Sequence, residues 1–384
     1  MTEKDSRFDD IRPYYDDEIP SAMQRIAGSD SFGMLAGFIY PDMTTDEVRE
    51  RIYSYRNAYD YQSDSIADFT RQVIARTMTD FTVSGMEKLE HGKSYLFVCN
   101  HRDIVVDSCL LQYMLLQNGF ESPEITFGAN LMQNQLLIDI GRSNKMFRVE
   151  RAGTPREFYA SSLHLSEYIR HCLLEKHQSV WIAQRNGRTK DGIDRTDQGI
   201  IKMFGMSGNT ADRVESIASL NIVPVTVSYE WESCDILKAV ELYVRQNGEK
   251  YVKKAGEDVN SILTGIMGRK GSVHLSIGDM LTASDLEPYR GLSGSQFNRQ
   301  VAWLVDSRIC AGYRLTPNNW IACDLLSGGD EYRDRYSDEQ LQQFKSHMLE
   351  LDSYGLADPA TLKRIFLGIY ANPVLLPPER PEMN

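Results

Sequence analysis

The chain has 384 residues, of which 42% are apolar and 25% charged, and its formal net charge is −12. This is the composition of an ordinary soluble globular protein, with room for one large domain or two to three smaller ones. The acidic balance argues against a nucleic-acid binder, which is normally basic. No stretch reaches the roughly 18 apolar residues of a membrane span, so we expect no spanning helix.

The polar, acidic start MTEKDSRFDD lacks the character of a signal peptide. Six scattered cysteines without a C-x-x-C pair are typical of reduced thiols in the cytoplasm. The seven histidines form no ligand-spaced group, so we predict no metal site. We therefore expect a cytoplasmic protein, and association with the inner face of the membrane stays open.

Residues 1–90 are predicted to form an N-terminal helical region, in which ADFTRQVIARTM (67–78) carries a one-sided apolar stripe. Between residues 91 and 330 short apolar runs alternate with helical patterns, which predicts an α/β fold with a mixed, largely parallel sheet flanked by helices. Strands are predicted at 95–99, 125–128, 179–183, 221–228 and 272–278, and helices at 104–118, 155–175, 195–206 and 249–266.

Residues 331–384 are predicted to form a C-terminal helical extension. The stretches DEQLQQFKSHMLELDSYG and PATLKRIFLGIY both have amphipathic helical spacing. The final PVLLPPERPEMN is rich in proline, so we expect it to run extended over the surface.

The stretch CNHRDIVVDS (99–108) contains the His-Arg-Asp of a protein-kinase catalytic loop. A kinase needs an Asn five residues after that Asp, and here the position is Ser108. The lysine strand, the glycine-rich loop and the D-F-G of a kinase are absent from the sequence as well. The kinase interpretation therefore fails.

His101 instead follows a predicted strand and precedes a predicted helix. In open α/β sheets ligands bind at that point, and anions are favoured at the start of the helix. A histidine oriented by a nearby Asp can act as a general base on a hydroxyl. The alternative is a plain loop histidine, with Asp103 serving only as the helix N-cap.

Two basic segments follow in the chain. NKMFRVERAGTPR (144–156) includes Arg148 and Arg151, and in an acidic chain such a segment favours an anionic partner. WIAQRNGRTKDG (181–192) places basic side chains at the end of a predicted strand, where arginines are suited to binding phosphate. The residues of interest in this turn are Arg185, Asn186, Gly187, Arg188 and Lys190.

A proline interrupts the next apolar strand, in IVPVTVSYEW (222–231). Because proline cannot donate to a strand ladder, Pro224 predicts either an edge strand or a bend that lines a site.

These motifs, in this order, resemble the glycerolipid acyltransferase superfamily. They are a strand followed by NHR, an Asp and a helix; then F-x-x-x-R; then a Gly-Arg turn; then V-P-V. The likeness is greatest to bacterial glycerol-3-phosphate acyltransferases, through GANLMQNQLLIDIGRSNKMFRVER (128–151), VPVTVSYE (223–230) and RKGSVHLSIGDML (269–281), and it covers roughly residues 92–290.

The resemblance implies that His101 is a general base for transfer of an acyl group from acyl-CoA or an acyl carrier protein, with no metal or other cofactor. The acceptor would be a glycerol-phosphate or lysophospholipid-like molecule, with Arg151 and Arg188 holding its anionic head and the Pro224 strand lining the cleft. The residues predicted to bind substrate are Arg102, Arg148, Arg151, Arg185, Asn186, Gly187, Arg188, Lys190 and Pro224.

Two positions depart from the family pattern. The family has four residues between its His and Asp, whereas Asp107 has five between it and His101, and Asp103 has one. The following SCLLQY favours Asp107 with one inserted residue, which would turn its carboxylate by about 100° on a regular helix; Asp103 stays the alternative partner, and it could also be the N-cap beside Asp107. The second departure is Asn186, where the family usually has Glu.

A different class of function is also considered, namely a lipid- or acyl-CoA-binding relative with weak or no turnover. Asn186 and the irregular spacing motivate this alternative, and the intact His101 argues against it. An esterase lacks support because the sequence has no G-x-S-x-G turn.

Overall fold

The computed structural model describes residues 5–132, 134–150, 153–209, 211–246 and 256–382. The strands among these residues are β1 Met78–Ser84, β2 Leu96–Cys99, β3 Glu124–Gly128, β4 Met146–Val149, β5 Val180–Ala183, β6 Ile222–Tyr229 and β7 Gly271–Ile277. The helices are α1 Ile19–Ala27, α2 Phe32–Ile39, α3 Thr45–Tyr53, α4 Ala58–Tyr61, α5 Ala67–Thr77, α6 Val106–Gln117, α7 Gln135–Ser143, α8 Pro155–Arg170, α9 Gln198–Met206, α10 Arg213–Ala218, α11 Asp235–Gln246, α12 Glu257–Met267, α13 Ala283–Leu286, α14 Gly294–Ala311, α15 Pro317–Ser327, α16 Asp338–Met348 and α17 Pro359–Leu375.

The described strands form one mixed sheet in the order β1-β7-β6-β2-β5-β3-β4. Five neighbouring strands, from β6 to β4, run parallel to one another, and β7 is antiparallel to β6. The carboxyl ends of those five parallel strands therefore lie along one side of the sheet, which we call the carboxyl edge. The predicted α/β fold with a mixed, largely parallel sheet is confirmed.

The sheet separates two apolar cores because side chains alternate along each strand. In β2, Leu96 and Val98 enter the core beneath α8, α9 and α14. Phe97 and Cys99 enter the opposite core beneath α5 and α6. All four side chains are buried, as expected for an interior parallel strand covered on both faces.

The N-terminal helices form their own apolar cluster, which also takes in two side chains of α7. Arg25 of α1 makes a salt bridge of 2.6 Å with the buried Asp139 of α7. The predicted helical region 1–90 is therefore attached to the sheet domain, but it is not entirely helical, because its residues Met78–Ser84 form the edge strand β1.

The C-terminal helices share a core with α11, to which Trp231, Ile321, Phe344 and Phe366 contribute. Among the described residues, no helix combines the length and the apolar character needed to cross a bilayer.

Helix α17 reaches back to the turn that follows β5. The side-chain amide of Asn372 donates to the carbonyl of Asp191 at 2.7 Å. Gly192 has a positive φ of 77°, and a Cβ there would overlap the carbonyl oxygen of Ile369. Only glycine fits this approach, so the turn and α17 are fixed against each other.

The prediction for Pro224 is wrong about the edge, because β6 lies inside the sheet between β7 and β2. Pro224 aligns with Val98 of β2, and the antiparallel pairing with β7 begins one residue later, at Val225. Its carbonyl accepts from Gly278 at 2.8 Å. The proline is tolerated because it stands where the second ladder begins, so its missing N–H is not required.

The prediction of an extended tail is wrong at its start, because α17 continues through Pro373 to Leu375. Residues 376–382 contain no helix or strand, and Pro381 accepts a hydrogen bond from Gln300. The residues 249–255 of the predicted helix 249–266 lie outside the described residues, and the remainder forms α12.

Candidate active site

The loop between β2 and α6 is fixed to the strand beside it. The amide nitrogen of Asn100 donates to the carbonyl of Val227 and to Asp194, each at 3.0 Å, and its oxygen accepts from the backbone of Val227 at 2.8 Å. Asn100 is fully buried. These bonds set the direction in which His101 leaves the carboxyl edge.

His101 and Asp107 form a buried pair. The Nδ1 of His101 lies 3.0 Å from an oxygen of Asp107. The same carboxylate accepts from the backbone N–H groups of Arg102 and Asp103 at 2.7 and 2.9 Å, and from the hydroxyl of Tyr229 at 2.8 Å. The loop thus wraps around the carboxylate, and the inserted residue is absorbed there and not in the helix.

This contact fixes the chemistry of the imidazole. A carboxylate at Nδ1 keeps the proton on that nitrogen and leaves the lone pair on Nε2. Nε2 has no hydrogen-bond partner among the residues that the structure describes. One nitrogen held by a carboxylate and the other open is the arrangement that general-base catalysis requires.

Asp103, the alternative partner, has a different position. One of its oxygens accepts from the backbone N–H groups of Val105 and Val106 at 2.9 Å each, which caps the start of α6. Ser233 donates to the other oxygen. Burial alone would raise the pKa of Asp103, but these bonds and the nearby Lys270 hold its pKa below the ordinary value.

The sequence predicts that Arg102 binds substrate, but its side chain lies in a buried network of charges. Its side chain is buried between two carboxylates, at 2.8 Å from Asp194 and 3.1 Å from Glu232, and it also donates to Tyr313. Lys238 completes this network through Glu232. Because its charge is already paired, Arg102 holds the loop in place and has no free edge for an anion.

His101 lies on a small pocket at the carboxyl edge, with a volume of about 90 Å³. Trp181 of β5 meets the imidazole edge-on at 5.8 Å between ring centres. Of the predicted binding residues, three line this pocket: Gly187, Arg188 and Lys190.

Arg188 carries an unused donor beside the histidine. Its Nη1 is buried and has no hydrogen-bond partner among the described residues. A buried donor left in this state costs about 1–3 kcal/mol, so a guanidinium here is suited to an anionic ligand. Lys190 differs, because it is paired with Glu241.

The turn that carries Arg188 is attached to the loop between β2 and α6, which we call the histidine loop. The backbone N–H of Thr189 donates to the carbonyl of His101 at 2.7 Å. Gly187 has a positive φ of 78°, which allows the sharp reversal after β5. His101 and Arg188 are therefore held in a fixed relation.

A second pocket, of about 440 Å³, adjoins the first and shares Thr126 and Ala183 with it. Three predicted binding residues line it: Arg148, Arg185 and Asn186. Its wall also contains three acidic residues, Asp10, Glu150 and Asp197, and an apolar part formed by Ile11, Val149, Phe158, Leu165, Ile182, Ile200 and Met203. Arg148 is already paired with Glu150 at 2.6 Å.

The remaining predicted residues lie elsewhere. Arg151 lies outside the described residues. Pro224 is buried in the amino half of β6, away from the carboxyl edge, and is not among the described residues that line either pocket. The sequence analysis missed Trp181 and Tyr229, although alternation along β5 places Trp181 on the same face as Ala183. Nothing in the sequence indicates Asp194.

Part of the chain is similar to known acyltransferases. The family model described as Acyltransferase matches residues 80–228. A glycerol-3-phosphate acyltransferase of Ectopseudomonas mendocina is 24% identical over 260 residues, and one of Pseudomonas syringae pv. tomato is 25% identical over 256 residues. Each alignment covers 64% of this chain but only 30% and 29% of the two relatives, so the chain spans under a third of their length.

Among solved structures, the 1-acyl-sn-glycerophosphate (LPA) acyltransferase PlsC of Thermotoga maritima aligns over 74% of this chain and 91% of its own, with 13% identity and a TM-score of 0.38.

The His–Asp loop and strands β2 to β5 lie within the residues that the family model matches. Residues 80–228 are thus similar to the Acyltransferase family, and a larger part of the chain is similar to the two glycerol-3-phosphate acyltransferases.

Proposed function

We propose that this protein is an O-acyltransferase that moves a fatty acyl group from a thioester to a hydroxyl of a glycerol-phosphate or lysophospholipid-like acceptor. The observation that carries the proposal is the His101–Asp107 pair, with Nε2 of His101 unbonded among the described residues and Arg188 in the same pocket. The relatives named glycerol-3-phosphate acyltransferase support it.

In the proposed reaction the acceptor hydroxyl gives its proton to Nε2 of His101 while its oxygen attacks the thioester carbonyl. The new C–O bond forms and the C–S bond breaks. The imidazolium then returns the proton to the departing thiolate of coenzyme A or of an acyl carrier protein. Asp107 stabilises the imidazolium, so its position matters most when the histidine is charged.

The two pockets suggest where each substrate lies. The pocket of His101 and Arg188 is small and has one guanidinium nitrogen that is unpaired among the described residues, which suits a glycerol-phosphate head. The adjoining pocket is larger and mostly apolar, which suits the start of an acyl chain. Asn186 brings no charge to the wall of the larger pocket, where the family usually has Glu, so we propose that the acceptor differs from the family's usual one in the part that lies outside the pocket of Arg188.

The test is thiol release from a long-chain acyl-CoA by the purified protein, with a panel of glycerol 3-phosphate, lysophosphatidate and uncharged lyso-lipids. We expect release that depends on the acceptor and is abolished in His101→Ala. An acyl carrier protein donor is tried in parallel. Saturable binding of acyl-CoA without release from either donor would overturn the proposal in favour of a binding protein.

A membrane location belongs to the same proposal. Lysophospholipid-like acceptors reside in bilayers, so we expect a cytoplasmic enzyme that works at the inner face of the membrane. Its acyl donor arrives from the water phase.

A further inference from the structure

The carboxylate of Asp107 is held by donors of two different origins. Three of them contact its Oδ2: Nδ1 of His101 and the backbone N–H groups of Arg102 and Asp103, at 3.0, 2.7 and 2.9 Å. All three belong to the histidine loop itself. The other oxygen, Oδ1, accepts from the hydroxyl of Tyr229 at 2.8 Å, and no other described residue donates to it.

Tyr229 belongs to the sheet and not to the loop. It is the last residue of β6, where it is in register with Val273 of the antiparallel strand β7. Its side chain is 6% exposed and lies in the apolar core beneath α5 and α6. The position of its hydroxyl is therefore fixed by the sheet, independently of the loop that surrounds Asp107.

The phenol of Tyr229 acts only as a donor to this carboxylate. Burial, together with the neighbouring charges of Asp107 and Asp103, raises the pKa of Tyr229 well above its ordinary value. The hydroxyl thus keeps its proton at neutral pH, while a carboxylate can only accept. Without the hydroxyl, Oδ1 of a fully buried carboxylate would have no donor among the described residues.

This bond has two consequences for the histidine. A carboxylate can rotate about its Cβ–Cγ bond, and a donor fixed at Oδ1 keeps Oδ2 turned towards His101. The bond also stabilises negative charge on Asp107, so that less of this charge is directed at the imidazole. If the bond is removed, the carboxylate should favour the protonated imidazole more strongly.

We propose that Tyr229 is a positioning residue of the acyl transfer, which acts through Asp107 on both the orientation and the protonation of His101. The inference rests on the proposed function, because it assigns Tyr229 a part in that reaction. Tyr229 is not among the described residues that line either pocket. Its effect on the reaction therefore passes through Asp107 and not through a contact with substrate.

Several other ionisable groups face this pair, and they come from every element packed around it. Those with a charge interaction or a hydrogen bond to Asp107 or Tyr229 are His101 and Asp103 in the loop, Cys99 in β2, Cys109 in α6, Glu232 after β6 and Lys270 before β7. All of them are retained when only the hydroxyl of Tyr229 is removed. A change in the titration of His101 can then be assigned to that hydroxyl.

The test compares Tyr229→Phe with the matched control Tyr168→Phe. Tyr168 is 1% exposed, and its hydroxyl donates to the carboxylate of Glu124 at 2.5 Å. Glu124 is the first residue of β3, so this pair lies at the end of the sheet opposite to the carboxyl edge. Each variant loses one hydroxyl from a buried tyrosine–carboxylate pair, and urea denaturation verifies that each is folded.

The first readout is the pH dependence of turnover, measured between about pH 5.5 and 9 with saturating substrates. We expect Tyr229→Phe to lower kcat roughly tenfold, the size of loss seen when the partner of a functional ligand is removed. The acceptor KM should stay within about twofold, since no substrate contact is lost. The pH at which turnover is half-maximal on the acid side should rise by about half a unit to one unit.

The position of this acid limb decides the outcome. A purely structural role of Tyr229 would reduce turnover and leave the limb where it is in the native chain. An unmoved limb in Tyr229→Phe would therefore overturn the inference, whatever the value of kcat. An equal movement in Tyr168→Phe would also overturn it, because the effect would then not depend on Asp107.

A second readout does not depend on turnover. In protein labelled with ¹³C-histidine, the imidazole signal of His101 is identified by its loss in His101→Gln and is followed by NMR as the pH changes. We expect its titration to move to higher pH in Tyr229→Phe and to stay unchanged in Tyr168→Phe. Identical titrations in the native chain and Tyr229→Phe would overturn the inference, even in an active enzyme.

The two readouts separate this inference from the proposed function. If the native chain transfers no acyl group from either donor, the proposed function fails and Tyr229 has no part in a transfer. A moved NMR titration would then show that the hydroxyl still acts on His101 through Asp107. Turnover in the native chain with unmoved titrations would instead leave the proposed function standing and remove the role of Tyr229.

Discussion

The cations on the two sides of the histidine loop differ in whether they are paired with carboxylates. On the inner side Arg102 and Lys238 are buried against Asp194 and Glu232, and each cation is paired with a carboxylate. On the pocket side Arg188 keeps a guanidinium nitrogen without a partner among the described residues. Successive residues of the loop, His101 and Arg102, thus serve different purposes.

The comparison teaches how to distinguish structural from functional charge. A buried cation that is fully paired maintains the fold, and its removal exposes the cost of the carboxylates left behind. A cation whose donors lack partners is available to a ligand, and its removal should lower the unfolding free energy little. Each of the following experiments tests this distinction.

The largest effect is expected on the pocket side, from His101→Gln. Glutamine keeps a polar group of similar length but cannot accept the proton, so turnover should fall roughly 10²- to 10⁴-fold. The measurement is thiol release under saturating substrates. The urea unfolding midpoint serves as the control and should stay near the native value; native turnover in the variant would exclude His101 as the base.

Next comes the inner side, with Arg102→Met. The change leaves Asp194 and Glu232 buried with less positive charge, and removing one partner of such a network costs about 3–5 kcal/mol of unfolding free energy. Urea denaturation measures this loss. A loss below about 1 kcal/mol, typical of exposed ion pairs, would show that the network does not hold the loop.

His347 in α16 is a third cation that is paired with carboxylates, and its pairing predicts how the unfolding free energy depends on pH. Burial would lower its pKa, but hydrogen bonds with Asp235 and Glu350, at 2.8 and 2.9 Å, raise the pKa of His347 to about 9. Because the folded-state pKa lies above the unfolded one, its contribution is complete below about pH 6.5 and is lost as the pH rises through 9.

We therefore expect the unfolding free energy of the native chain to decrease between pH 6.5 and 9 by up to ~3 kcal/mol more than that of His347→Gln. Urea titrations at four pH values across this window measure the difference. Parallel pH profiles for the two proteins would contradict the paired arrangement.

The smallest effect is expected from Arg188→Met, the counterpart of Arg102→Met. Loss of one charge-assisted contact to the acceptor should raise its KM about tenfold, while the unfolding free energy should not decrease, because the buried donor without a partner is removed together with the guanidinium. Steady-state kinetics with varied acceptor and urea denaturation measure the two. A loss of stability equal to that of Arg102→Met would erase the distinction between the two sides.

Much of the fold could be predicted because interior strands are short apolar runs. The five predicted strands all exist, whereas the two missed strands, β1 and β4, stand at the edges of the sheet. Edge strands mix polar and apolar residues, and β4 lies within the basic segment that was interpreted through its charge alone. Local pattern cannot separate such a strand from a loop.

Only those contacts of the site that join residues close together in the sequence could be predicted. His101 and its partner Asp107 lie six positions apart, and the following helix pattern favoured that pairing. The place of Arg102 was not predictable, because its partners Asp194 and Glu232 are distant along the chain. A sequence motif shows a basic residue but does not show whether a carboxylate distant along the chain is paired with it.

The contact of α17 with the turn at Asp191 and Gly192 sets an order of events during synthesis. The segment that fixes the turn of Arg188 is made after the sheet, the histidine loop and both pocket walls have been translated. Because a domain generally folds as one unit during synthesis, and Thr189 bonds the turn to the histidine loop, we expect His101 and Arg188 to reach their final positions together, once α17 has emerged. The ribosome must nearly finish the described chain before the pocket is complete.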